Sequence, residues 1–176
     1  MKKTFSKRTI TLIALTAVLA LIYILQIIAA SKTGVKTIKT EIDSEEITIT
    51  KGMNSLEEIH LVKTSENQWV VGENQYPADS STVSGFERSL KEIKLLGAVS
   101  SVTNNAERYG LDDGHKITVS SYANKKVLHT ISIGKNTSTG NQCYVQLDGK
   151  NTIYLASGAL HSTFDATTDS LRSKNV

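Results

Sequence analysis

Six stretches of this sequence alternate apolar and polar residues with a period of two, and that pattern constrains the fold more than anything else in it. Successive side chains of a strand point to opposite faces, so each stretch is a half-buried strand. "EITIT" places Ile47 and Ile49 on one face, and "IHLVKT" does the same with Ile59 and Leu61, Lys63 being next in the series. "KITVSSY" alternates, and "VLHTISI" sets Val127, His129, Ile131 and Ile133 on a common face. "QCYVQL" turns Cys143, Val145 and Leu147 inward, and "TIYL" turns Ile153 and Leu155 inward. Gly52 and Asn54, then "ANK", then "DGKN" supply turns between these runs. A further short strand, "QWVV", follows "SEN" and completes an antiparallel meander with the first two.

One helix is predicted in the same region. Pro77 holds Tyr76 extended, and Asp79 stands where an N-cap belongs. Val83, Phe86, Leu90 and Ile93 recur at i, i+3, i+7 and i+10, which is one face of an amphipathic helix. Gly97 is its expected stop. Gly85 costs such a helix ~1 kcal/mol relative to Ala, and leaves room for close packing over it. Gly110 permits a left-handed turn, and Asp112-Asp113-Gly114 is turn chemistry too. The tail from Ala156 holds one short helix and a polar end. The expected fold class is therefore α+β: antiparallel hairpins and a meander packed on one long amphipathic helix, within an extracytoplasmic domain at 46–176.

The N-terminal end is of another kind. Residues 1–9 form a cytoplasmic start carrying Lys2, Lys3, Lys7 and Arg8 and no acid, and Ile10 to Ala30 holds no charge. At 1.5 Å per residue such a helix would span roughly 30 Å of hydrocarbon, so residues 10–30 are expected to be a transmembrane signal anchor preceding the domain. The apolar core is too long for a cleaved signal. Four cations before it predict the N-terminus inside and the rest outside the cytoplasmic membrane. Thr11 and Thr16 are tolerated there because a threonine hydroxyl can bond back to its own helix. Residues 31–45, polar and mixed in charge, are expected to be a stalk. The formal charge of +3 reflects this end, because the remainder has 16 basic against 17 acidic residues. That balance lacks the basic stripe nucleic acid requires, so no nucleic-acid partner is expected.

Catalytic signals are weak. "IGKNTSTG", Ile133 to Gly140, resembles a phosphate loop only superficially. Position 129 is His where that loop has Gly, Asn136 follows Lys135 where Ser or Thr is needed, and a strand follows instead of a helix. It is expected to be a polar loop between strands. His60, His115, His129 and His161 share no metal-ligand spacing. His129, on an apolar strand face, is expected to be a hydrogen-bonded core or edge residue. Cys143 is the single cysteine, which excludes an intrachain disulfide and points to a small packed side chain. Trp69 is expected to anchor the meander against the helix, since an aromatic buries the most area in a small core. No catalytic, cofactor-binding or metal-ligating residue is assigned, and no cofactor is expected.

The ordered set "WVV", "YPAD", a helix, "YGLD", "IGK", "YV", "LDG", "IYL" and "LRSK" resembles one bacterial domain family of unknown function. That family occurs in gliding-motility-type ABC transporter auxiliary components. Tyr76-Pro77-Ala78-Asp79 and Tyr109-Gly110-Leu111-Asp112 carry most of the likeness, which runs from Ile47 to Val176. Family members often carry a second unit, and "DDGHK" stands where they have a proline-containing turn. The resemblance implies a non-enzymatic, membrane-anchored accessory or interaction domain, with a partner in the envelope or in an ABC-type transporter. The alternative is a module binding a small ligand or polysaccharide, which needs several aromatics around one concave site.

Overall fold

The computed structural model describes residues 7–31, 34–52, 58–100 and 105–174. The chain divides into two units, Met1–Gly34 and Val35–Val176. In the first, helix α1 (Lys7–Ser31) runs for 25 residues. The Thr16 hydroxyl donates to the Leu12 carbonyl at 2.8 Å, the back-bond expected of a threonine in such a helix. Leu12, Leu15, Leu19 and Tyr23 are each more than half exposed. Among the described residues, however, no helix is long and apolar enough to cross a membrane. The described side chains of the uncharged run extend from Thr11 to Ile27, about 25 Å at 1.5 Å per residue, against a hydrocarbon core of about 30 Å. This corrects the expectation of a transmembrane helix over 10–30. The side chains of Ile10 and of residues 28–30 lie outside the described residues.

The second unit starts earlier than expected. Part of the anticipated stalk forms β1 (Lys36–Lys39), which pairs with a strand far along the chain. Then follow β2 (Glu46–Lys51), β3 (Glu58–Lys63), β4 (Trp69–Val71), β5 (Tyr76–Pro77) and α2 (Ser80–Lys91). Next come β6 (Glu92–Ser100), α3 (Ala106–Tyr109), β7 (Ile117–Ala123) and β8 (Lys126–Asn136). The unit finishes with β9 (Gln142–Leu147), β10 (Ile153–Ser157), α4 (Leu160–Phe164) and α5 (Thr168–Leu171). All strands join one ten-stranded sheet in the order β1-β6-β10-β9-β8-β7-β2-β3-β4-β5, and every pairing is antiparallel.

This sheet corrects the expected fold class. The hairpins and the meander are present, but they are not packed on one long helix. α2 has only 12 residues and stops at Lys91, where Glu92 turns extended at φ −135° and ψ 102°. Val83, Phe86 and Leu90 are its buried face. Ile93 satisfies the helical period and also begins a period of two with Leu95, and both side chains are buried from β6. The strand reading wins because β6 finds partners on both edges, β1 on one and β10 on the other. Gly97, expected to end the helix, pairs with Leu155 inside the sheet. Gly85 has no heavy atom within 4 Å of where a Cβ would stand, so nothing packs closely over it.

Two strand faces shift from expectation as well. A bulge between Ser121 and Tyr122 in the β7–β8 pairing breaks the alternation of β8, leaving Val127 56% exposed while Ile131 and Ile133 are buried. In β10 two register shifts against β6 bury Ala156 in place of Leu155. The β7–β8 turn is the expected tight one: Asn124 and Lys125 both take left-handed φ, 51° and 59°, matching the twist of the strands they join. The tail carries two short helices instead of one.

The N-cap at Asp79 is as expected. Its carboxylate accepts from the Thr82 amide at 2.8 Å and from the Ser81 hydroxyl at 2.6 Å. Those bonds, the Ser81 hydroxyl foremost, lower its pKa to about 2. A depressed folded-state value stabilises above the unfolded value near 4, and that contribution is lost as pH falls toward 2. Asp79→Ala is therefore expected to lower the thermal midpoint at pH 7, with the gap to wild type closing between pH 4 and 2. A pH series of melting curves checks this, and a gap independent of pH would contradict it.

Candidate functional site

A concavity of the β-unit lies where α3, the turn before β7 and α4 converge at the ends of the inner strands β2, β7 and β8. Backbone packed on backbone makes it. A Cβ on Gly134 would stand 2.2 Å from the Tyr109 carbonyl oxygen, and one on Gly52 would stand 2.3 Å from that of Gly114. Gly110 ends α3 in the left-handed conformation, φ 67°, and lies against the Lys135 backbone. Gly134 thus explains "IGK": it admits the α3 turn onto β8. "IGKN" is the end of β8, not a loop as expected, and only the residues after Asn136 connect to β9.

Two adjoining hollows open on this floor. One, of ≈330 Å³, is lined by Glu107, Gly110, His115, Lys135 and His161. The other, of ≈310 Å³, adds Lys51, Gly52, Gly114, Ile117 and Asp165 to the same two histidines. His115 and His161 therefore line the same hollows from two different elements. The Asp112 carboxylate orients His115, its Oδ2 lying 2.7 Å from the ring Nδ1, and it also accepts from the Gly114 amide at 3.2 Å. The hydrogen bond to His115 is the main cause holding the Asp112 carboxyl below the usual carboxylate range. Its other oxygen, Oδ1, is buried without a hydrogen-bond partner among the described residues. Across the groove Lys51 Nζ donates to Asp165 at 2.6 Å, and that bond holds Asp165 below its ordinary value.

The remaining candidates lie elsewhere. His60 stands on β3 between Glu46 and Glu58, at 3.9 and 3.5 Å. His129 is a half-buried, hydrogen-bonded residue of the inner strand β8, its Nε2 against the Thr40 hydroxyl and its Nδ1 3.7 Å from Asp148. Cys143 is fully buried. Burial pushes its thiol up to about 11, although the amides of His161 and Leu160 point at the sulfur. Such a thiol stays protonated at neutral pH and is no nucleophile. No group of three or more His, Cys, Asp or Glu residues suits a metal ion among the described residues. Trp69 belongs to the core at 9% exposure, with the Lys63 ammonium 5.5 Å from its ring. Tyr109 and Tyr144 meet, at 4.8 Å between ring centroids.

No local pattern in the sequence marks the groove, because His115 and His161 lie far apart in the chain and are joined only by the fold. Groups able to bind are plentiful here. Neither a curated protein nor a solved structure matches the chain. One family's sequence profile does, over residues 69–176, from β4 through α5. Since that is well over half of its length, the chain belongs to the family described as Domain of unknown function (DUF4340).

Proposed function

We propose that this chain is a non-enzymatic accessory domain of the bacterial envelope that holds a segment of a partner protein. In this reading the chain is held at the cytoplasmic membrane, and the β-unit works outside it. The exposed apolar side chains of α1 support that placement. The partner class is the one the sequence resemblance implies, a component of an ABC-type transporter.

The observation that carries the proposal is the groove itself. Its floor is backbone and rigid, and its rim presents two cations and two carboxylates, Lys51 and Lys135 with Glu107 and Asp165. A peptide bearing both signs of charge meets complementary groups there without induced disorder. Docking by strand addition, in contrast, is disfavoured at both ends of the sheet. β1 is four residues long with Lys36 and Lys39 on it, and such short, charged edges resist pairing. β5 contains Pro77, and the chain's end closes over it: the Ser173 amide donates to the Pro77 carbonyl and Arg172 stacks 3.8 Å over Tyr76.

The test is a crosslinked pull-down of the full chain in its membrane, comparing wild type with Lys135→Glu/His115→Ala. Transporter subunits recovered by wild type and lost by the double variant are the expected result. Equal recovery from both, or none from either, would overturn the groove as the docking site.

A further inference from the structure

A second concavity lies at the opposite rim of the meander and has no part in the reading above. Val62, Glu46, Tyr122 and Val127 form one row across four strands, β3, β2, β7 and β8. Val62 is 43% exposed and Val127 56%, with the half-buried Tyr122 ring between them. Exposed apolar side chains beside an aromatic ring make a platform on a face that is otherwise polar.

Two hairpin turns wall this platform. The β3–β4 turn brings Thr64, Ser65 and Asn67, and the β7–β8 turn brings Lys125, around a trough of ≈430 Å³. That volume lies in the range of about 300–1,000 Å³ usual for small-ligand sites. The walls are fixed in advance. The Glu45 carboxylate accepts from the Asn124 amide at 2.7 Å, tying β2 to the β7–β8 turn. The Asn67 amide closes its own turn onto the Thr64 carbonyl at 2.9 Å, with Asn67 left-handed at φ 64°. A preordered site loses less entropy when a ligand arrives.

We propose that this trough binds a neutral saccharide. A pyranose has an apolar C–H face and a rim of hydroxyls, each both donor and acceptor. The Tyr122 ring with Val62 matches the face. The rim is matched by groups that accept and donate around the trough: the Glu46 carboxylate, the Thr64 and Ser65 hydroxyls and the Asn67 side-chain carboxamide. Charge favours a neutral ligand, because two glutamates and two lysines line the trough together. Lys63 is moreover occupied, 3.7 Å from Glu87 and over the Trp69 ring.

Saturation-transfer NMR on the full chain in lipid nanodiscs tests this, with chitotriose and maltotriose as probes and empty nanodiscs as control. Saturation is expected to reach the ring protons of at least one trisaccharide. Tyr122→Phe keeps that signal, and Tyr122→Ala reduces it at least fivefold. If Tyr122→Ala unfolds by thermal melting, Glu46→Ala, at a residue with a 42% exposed side chain, carries the same test. Absence of transfer to both sugars overturns the proposal, as does transfer that survives the variants or occurs equally on empty nanodiscs. None of these substitutions touches the histidine groove, so failure here leaves the partner-docking reading standing on its own test.

Discussion

Gly134→Ala is expected to destabilise the β-unit by about 3 kcal/mol, the upper end of the usual cost of overpacking. The added methyl would lie 2.2 Å from the Tyr109 carbonyl oxygen, 3.0 Å from Leu111 Cγ and 3.1 Å from the Gly110 carbonyl oxygen. Two of those three atoms are backbone, held by the left-handed turn that ends α3, so no side chain can swing away to make room. Relief requires α3 to lift off β8, and the floor of the histidine groove opens with it. Gly85→Ala is the internal contrast, because open space surrounds that position on α2. There the methyl removes backbone freedom from the unfolded chain and adds helix propensity, for a gain of about 0.5–1 kcal/mol. Urea unfolding of both variants measures the pair. Equal stability for Gly134→Ala and wild type would mean that the turn does not pack on the strand as described.

Phe164→Ala is expected to cost about 3–5 kcal/mol, the range for truncating a buried phenylalanine. Phe164 has no exposure, and its ring lies 4.9 Å from that of Phe86. The pair fastens α4 to α2. Since α4 has five residues and cannot persist without tertiary support, its loss also releases His161 from the groove. The double readout is stability by denaturant and partner recovery by pull-down, and both are expected to fall. A loss below about 1 kcal/mol would be inconsistent with the burial of this ring.

Much of the sheet was legible because period two survives wherever one face is buried: Ile47, Ile49, Ile59, Leu61, Val145 and Leu147 all point inward. The N-cap at Asp79 was legible because capping is local chemistry. The end of the helix was not, since Ile93 fits both periods and the choice belongs to β1 and β10, strands distant in sequence. Bulges in β8 and β10 were equally silent, as one inserted residue leaves no compositional trace. The groove was the least legible part. His115, His161 and Asp165 acquire a common address only when the sheet is assembled. The one local hint was Gly134, whose meaning as a contact glycine competed with a false likeness to a phosphate loop.

The strand order also governs how the chain comes into being. β2 pairs with β3 on one side and with β7 on the other, so a nascent chain that has just completed the meander carries an open strand edge. That edge waits for roughly 50 further residues, until β7 is complete, about 2.5–10 s of synthesis at 5–20 residues per second. β1 waits for β6, and β6 in turn for β10. Closure of the sheet is thus a late, long-range event of the slow-folding kind. Chains interrupted before Ile117 are expected to associate through that vacant edge.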